Sequence, residues 1–484
     1  IAGRVVDGGT LAPVAGASVL VVGTQLGTLT SGDGTFLVTS VPAGTQVVRV
    51  EMIGYAPQER EVTLAAGATA SVEFSLSTEA VRLEDIIVTG YGTQRREAIT
   101  GSVTQVNVEE ANVGLVSNAV EMIQGRVAGV HIALNNGEPG AGQQVRIRGG
   151  TSISASNEPL YVIDGVPVQN VSTEGAGIGL GGEAALNRSP LNLLAPSDIE
   201  SITVLKDASA SAIYGSRAAN GVVLIETKKG RSGAVSIEYN GYTSVSTPSR
   251  YLELLNGEEY RDFVQTHPSV PDAIRAGLVA DLGTANTDWE RELTRTSVSH
   301  NHDVSFAGGT ESTRYRASLN YQDQQGVALS SGMERIQGRL NAVHRAFEDR
   351  LRLGLNLMSS HVEHDYIAYE TGGGFEGGVF INMVNFNPTN PVTVVDPATG
   401  LSSYYEVEGQ TSVRNPVALA EQVDDVSGTT RTLGNVSADL QLVPGLVGRV
   451  NVGVDRSESV RRWYIPRTNP AGAQWNGRAR QEEL

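Results

Sequence analysis

Hydrophobic and polar positions alternate with a period of two through most of the chain. Between 71 and 76, Val72, Phe74 and Leu76 interleave with Ser71, Glu73 and Ser75, so a strand there has one buried and one wet face. Further β-rich runs at 4–7, 17–22, 35–39 and 46–53 alternate with turn signals, which predicts a small sandwich over 1–78. Asp33-Gly34 supplies the positive φ of a hairpin turn, and a plain turn accounts for Asp33 better than a calcium ligand does. Ile86-Ile87-Val88-Thr89 is an apolar strand with no hairpin partner in sequence, set in a polar tether over 79–98.

The pattern then changes. A helical period at 119–127 precedes strands at 145–148, 160–163, 202–205 and 222–227, with a short helix at 208–214 ending near Gly215. This predicts a mixed α+β domain over 99–230, in which Asp164-Gly165 forms a two-residue hairpin turn. From 231 on, long alternating strands take over. Tyr315, Ala317, Leu319 and Tyr321 interleave with Arg314, Arg316, Ser318, Asn320 and Gln322, and Leu351, Leu353, Leu355 and Leu357 with Arg352, Gly354 and Asn356. The same period recurs at 235–245, 304–306, 336–346, 436–442 and 450–454, so seven strands are countable. Tight turns near 310 and 444 contrast with a long Gly-, Pro- and Asn-rich excursion over 366–426, the asymmetry of an outer-membrane barrel.

Composition narrows the chemistry. The 484 residues exceed one compact core, and 36 Lys+Arg against 53 Asp+Glu give a net charge of -17, which argues against nucleic acid as a partner. No Cys is present, and no apolar run approaches the roughly 18 residues of a membrane helix. His300 and His302 share a strand face, but His361 and His364 fall on opposite faces, so a zinc site is not assembled. The Gly-rich run at 175–182 lacks the helix that a phosphate cradle needs, and no nucleophile elbow, Walker or H-E-x-x-H motif occurs. No catalytic residue, metal or cofactor is assigned.

Several motifs in order carry a resemblance. GRVVD at 3–7, PVAGASVLVVGTQLGTLTSGDGTF at 13–36 and VEMIGY at 50–55 resemble a carboxypeptidase regulatory-like domain. LEDIIVTGYGTQ at 83–94 resembles a TonB box. ITGSV at 99–103, AVEMIQGRVAGVHI at 119–132, VRIRGGTSI at 145–153, PLYVIDGVPV at 159–168 and IESITVLKDASASAIYGSRAANGVVLIETKKG at 199–230 resemble plug motifs. In this order the chain is similar to the N-terminal half of a SusC/RagA-type TonB-dependent outer-membrane transporter.

The resemblance implies a mainly β protein with an N-terminal β-sandwich, an α+β plug and the first strands of a transmembrane antiparallel barrel. Such a plugged barrel has about 22 strands, so the chain is expected to be a fragment of a longer protein. It implies import of a nutrient, oligosaccharide or peptide, with no enzymatic step. TonB would pull on Glu84, Asp85, Ile86, Ile87, Val88 and Thr89, a SusD-type surface lipoprotein would act as a lid, and the N-terminal domain and TonB box would face the periplasm. A secreted carbohydrate-binding protein or adhesin is the alternative, and it leaves the plug motifs unexplained.

One further expectation concerns charge. Only Lys206, Lys228 and Lys229 are lysines, the remaining bases being Arg. Arg146 and Arg148 alternate on one plug strand opposite in facing to Val145 and Ile147. They are either solvated or paired with acids of the barrel wall, acting as a plug latch. Residues 231–484 hold 22 basic and 31 acidic groups, a net of -9, so such acids are available.

Overall fold

The computed structural model describes residues 1–8, 12–24, 26–52, 55–65, 67–76, 86–89, 92–95, 103–111, 116, 118–134, 136–150, 156–168, 190–207, 212–367, 378–409, 413–473 and 476–483. Two compact units emerge, Ile1–Val88 with Gly92–Ala98, and Thr89–Tyr91 with Ile99–Leu484.

In the first unit, β1 (Ala2–Asp7), β2 (Ser18–Val21), β3 (Gly27–Leu29), β4 (Thr35–Leu37), β5 (Gly44–Glu51), β6 (Gln58–Leu64) and β7 (Ser71–Leu76) form two sheets, ordered β4-β1-β7 and β3-β2-β5-β6. Their facing residues Val5, Val19, Val48, Val50, Phe74 and Leu76 make the sandwich core. The Asp33-Gly34 turn differs from expectation: it joins β3 to β4, which lie in different sheets, so it is a sheet-crossing turn and not a hairpin. Asp33 Oδ1 accepts from the hydroxyls of Ser31 and Thr35 at 2.6 and 2.8 Å, and Gly34 takes φ 76°. β8 (Ile86–Thr89) is also not isolated, because it pairs with β9 (Gly92–Arg95). Glu84 and Asp85 lie outside the described residues.

In the second unit, β10 (Val103–Asn107), β11 (Val130–Leu134), β12 (Gln143–Ile147), β13 (Leu160–Ile163), β14 (Val166–Val168), β15 (Ile199–Leu205) and β16 (Val222–Thr227) form the α+β layer, hereafter the plug. Five of them make a mixed sheet, β10-β15-β16-β13-β14, and β11-β12 is a separate hairpin. The helix foreseen over 119–127 is the shorter Ala119–Ile123, whose first turn is capped by the Asn118 side chain. Of the helix foreseen over 208–214, residues 208–211 lie outside the described residues, and Ala212–Ala218 is 3-10 with a break at Gly215, φ 68°.

β17 (Gly233–Ser246), β18 (Ser297–Gly309), β19 (Thr313–Gln325), β20 (Gly332–Ala346), β21 (Leu351–Asp365), β24 (Asp424–Val443), β25 (Leu446–Ile465) and β26 (Arg478–Glu483) form an eight-stranded antiparallel sheet in that order. One more strand is present than alternation reveals: β26, RARQEE, carries no apolar face and is a strand because it pairs with β25. The excursion over 366–426 is more structured than its composition suggests. It holds helices Val379–Asn385 and Pro416–Gln422 and the hairpin of β22 (Thr393–Val395) and β23 (Ser402–Tyr404). These pack with Trp289, Trp463 and Ile465 into a core of their own.

The sheet register separates two faces. One row across the outer face reads Phe306, Ala317, Leu340, Leu357, and the next Tyr315, Ala342, Leu355, Val436, Val452. An apolar band of this kind suits hydrocarbon. A row across the inner face reads Ser305, Ser318, Arg339, Met358, Leu433, Asp455. The plug lies against this inner face, and Met358 and Leu433 enter its hydrophobic core.

Candidate functional site

The chemistry of the second unit is concentrated where plug carboxylates meet wall arginines. Asp198 closes the 3-10 turn Pro196–Asp198, in which Pro196 presets the turn, and the next residue opens β15. That abrupt change places its carboxylate, 0% exposed, directly on the wall. Oδ1 accepts from the Ser318 hydroxyl at 2.7 Å, Oδ2 accepts from Gln337 Nε2 at 2.7 Å, and Arg316 Nη2 stands 3.8 Å away. Gln337 also accepts the Ala195 N–H at 2.7 Å, so a single wall amide grips both sides of the turn. Alongside, the Ser197 hydroxyl donates to wall Asp303 Oδ2 at 2.8 Å.

The second tie is at the β13–β14 turn. Ile163 and Val166 are register partners, and Asp164 and Gly165, φ 46° and 83°, occupy the two positions between them. Asp164 Oδ1 accepts the Thr227 N–H at 3.0 Å, while Oδ2 meets the Thr227 hydroxyl and lies 3.4 Å from Arg339 Nη2. Arg339 Nη1 donates to Lys228 O at 2.8 Å. Burial pushes the nearby Glu226 carboxyl up from its usual range, with Lys229 opposing the shift and Asp164 and Glu200 adding to it.

Arg335 completes the contact. Its side chain is fully buried and donates from Nη1 to Asn192 O at 3.0 Å, at the 3-10 turn Pro190–Leu193, and from Nε to Asn320 Oδ1 at 3.3 Å. Asn192 in turn donates to Gly140 O at 2.6 Å and accepts from Asn118 Nδ2 at 2.9 Å, so the wall charge is wired into the plug interior.

These ties reverse the expected polarity. The plug supplies the acids and the wall the arginines. Arg146 is exposed on β12, and Arg148 has left the strand, with φ 58°, to pair with Asp207 of the plug itself. Of the latch expected of Arg146 and Arg148, the described residues show Arg148 bridging within the plug, with φ 58°, and Arg146 exposed. The signal for the real partners was available, since Arg335, Gln337 and Arg339 recur every second residue on the polar face of a strand. What it lacked was a way to pair them with Asp164 and Asp198.

The histidines do not converge. His300 and His302 lie on the outer face, ring centroids 5.4 Å apart, and His302 Nδ1 sits 2.7 Å from the Tyr239 hydroxyl. His361 is exposed on that face, while His364 points inward and is buried.

Residues 1–88 match the CarboxypepD_reg-like domain family and residues 95–222 the TonB-dependent Receptor Plug Domain family. TonB-dependent receptor SusC of Bacteroides thetaiotaomicron is 36% identical over 472 residues, covering 94% of this chain and 44% of that protein. TonB-dependent receptor P3 of Formosa agariphila is 33% identical over 468 residues, covering 96% and 42%. The solved structure of the RagAB peptide transporter aligns with a TM-score of 0.63 at 28% identity, covering 79% of this chain and 44% of that one. The chain thus spans less than half the length of the relatives it matches.

Proposed function

Because the chain belongs to the SusC/RagA-type TonB-dependent receptors, we propose that it serves the energy-coupled import of a nutrient across the bacterial outer membrane. The cargo is an oligosaccharide or a peptide, and no reaction is catalysed on it. The observation that carries this reading is a plug held on the inner face of a barrel-type sheet by buried ties, Asp198 to Arg316 and Asp164 to Arg339. Such a stopper seals at rest and needs work to move. The apolar outer face of the sheet suits an outer-membrane location.

In this reading TonB supplies the work by adding a strand to Glu84, Asp85, Ile86, Ile87, Val88 and Thr89, four of which form β8. The N-terminal unit and this segment face the periplasm. A SusD/RagB-type surface lipoprotein covers the outer side, in keeping with the likeness to RagAB. The test is a pull-down with the TonB C-terminal domain. Ile87→Pro, which removes a ladder N–H and fixes φ, is expected to abolish capture, and Ile87→Ala to weaken it less. Equal capture of wild type and Ile87→Pro would overturn the reading.

A further inference from the structure

Two long connections of the wall meet on one side of it. The chain from β17 to β18, 247–296, and the chain from β21 to β24, 366–423, leave the same ends of their strands, opposite the tight turns at 310–312, 347–350 and 444–445. Long loops at one end and short turns at the other put both connections outside the cell in the import reading. Hydrogen bonds stitch them together. The Ala285 N–H donates to Thr389 O at 3.0 Å, the Thr287 N–H to Pro388 O at 2.9 Å, and Trp289 Nε1 to Asn387 O at 3.2 Å.

Within this frame lies a cavity of about 460 Å³, inside the range of about 300–1,000 Å³ typical of small-ligand sites. Its wall is apolar: Leu252, Leu254 and Leu255 precede the helix Gly257–Thr266, and Met383 and Val384 belong to the helix Val379–Asn385. Glu290 fixes the leucine segment, its Oε2 accepting the Leu252 N–H at 2.7 Å. The rings at the base, Trp289 and Phe386, are each 3% exposed and packed edge to face, centroids 5.0 Å apart at 83°. Neither offers the flat platform on which a sugar ring stacks. The lining amides serve the frame: Asn256 Oδ1 accepts the N–H groups of Glu258 and Glu259, Asn286 Oδ1 that of Gly257, and Asn387 Oδ1 that of Thr389.

What the cavity presents to a ligand is leucine, valine and methionine surface with negative charge around it. Asp288 and Glu290 line it, and although Asp288 is shared with Arg291 at 3.1 Å, residues 250–292 hold nine acidic against four basic groups. A saccharide would give up water from its hydroxyls against leucine without gaining partners. A leucine-like side chain gains from the same burial, and a cation beside it gains from the acidic surroundings.

We propose that this cavity recognises peptides in which leucine-like side chains neighbour lysine or arginine. The proposal rests on the import reading above and commits its cargo to the peptide class.

The test is calorimetric titration of the purified full-length transporter with a hexapeptide of leucine, alanine and lysine, a twin with serine in place of leucine, a twin with glutamate in place of lysine, and maltoheptaose. Leu254→Gln with Val384→Gln changes the wall at positions 45% and 50% exposed, where folding does not depend on burial. Glu290→Gln removes charge while keeping an acceptor for the Leu252 N–H. The leucine–lysine peptide is expected to bind about tenfold more tightly than either twin, and about tenfold more weakly to the double variant than to wild type. Glu290→Gln should narrow the preference for lysine over glutamate. Equal affinity of wild type and the double variant overturns the proposal, and so does maltoheptaose binding that the double variant loses. A double variant that keeps its peptide affinity but sheds a co-purifying surface lipoprotein also overturns it, by making the cavity a lid contact. Uptake of the radiolabelled leucine–lysine peptide by cells, with the proton gradient intact and then collapsed, separates the two readings. Gradient-dependent uptake at the wild-type level in the double variant removes the cavity and leaves import standing. Wild-type uptake indifferent to TonB and to the gradient removes the import reading, and the cargo assignment falls with it.

Discussion

The guanidinium of Arg339 and the carboxylate of Asp164 face each other at 3.4 Å across the boundary between wall and plug, although 175 residues separate them in sequence. Both side chains are almost wholly buried. Arg339→Ala leaves the carboxylate uncompensated, at a cost of about 3–5 kcal/mol where burial is complete. The expected outcome is a loosened plug and raised passive leakage of small solutes in liposomes. Arg148→Ala breaks only a partly exposed pair with Asp207, a loss of about 0–1 kcal/mol, and should leave leakage at the wild-type level. Equal leakage from the two variants would refute the assignment of the ties.

Gly230 follows the plug's last strand and passes so close to β19 that a Cβ would lie 2.4 Å from the Tyr315 backbone nitrogen. Backbone in a paired strand cannot give way as a side chain can. Gly338, on the outer face of β20, would meet only Leu319 Cδ2, at 3.6 Å. Gly230→Ala should therefore expose the plug to limited proteolysis, whereas Gly338→Ala should match wild type. A protected plug in Gly230→Ala would show that the approach is looser than described.

Leu355 occupies the outer face between Ala342 and Val436. Placed against hydrocarbon, Leu355→Arg should cost about 2–4 kcal/mol near the bilayer midplane. The checkable outcome is less heat-modifiable protein in the outer-membrane fraction. Normal assembly of Leu355→Arg would argue that this face does not meet lipid.

Hydrogen bonds from Ser31 and Thr35 hold the Asp33 carboxyl at about 2, below its ordinary 3.8. A depressed folded-state pKa stabilises the turn fully above the unfolded value, and that contribution fades as pH falls from about 4 through about 2. An NMR titration following the Thr35 amide should show a midpoint near 2, and Asp33→Asn should abolish the transition. A midpoint near 4 would mean that the hydroxyls do not hold the ionised form.

The sequence by itself determined whatever depends on neighbours a few positions away. Alternation at Leu351 to Leu357 set a strand and its apolar side, because side chains project to opposite faces every residue. Asp164-Gly165 set a tight turn, because few residue pairs accept positive φ twice. The tertiary structure alone decided what depends on partners far along the chain. RARQEE at 478–483 is a strand only because β25 offers it a ladder. Ile86–Thr89 acquires β9. Arg146 and Arg148 have the composition of a latch, yet the guanidinium groups that hold the plug are Arg316, Arg335 and Arg339, and the carboxylates are the plug's own. An arginine pattern on a polar face shows that charge is present there. Which opposite charge it meets is settled by how the sheet and the plug pack together, and no local period encodes that.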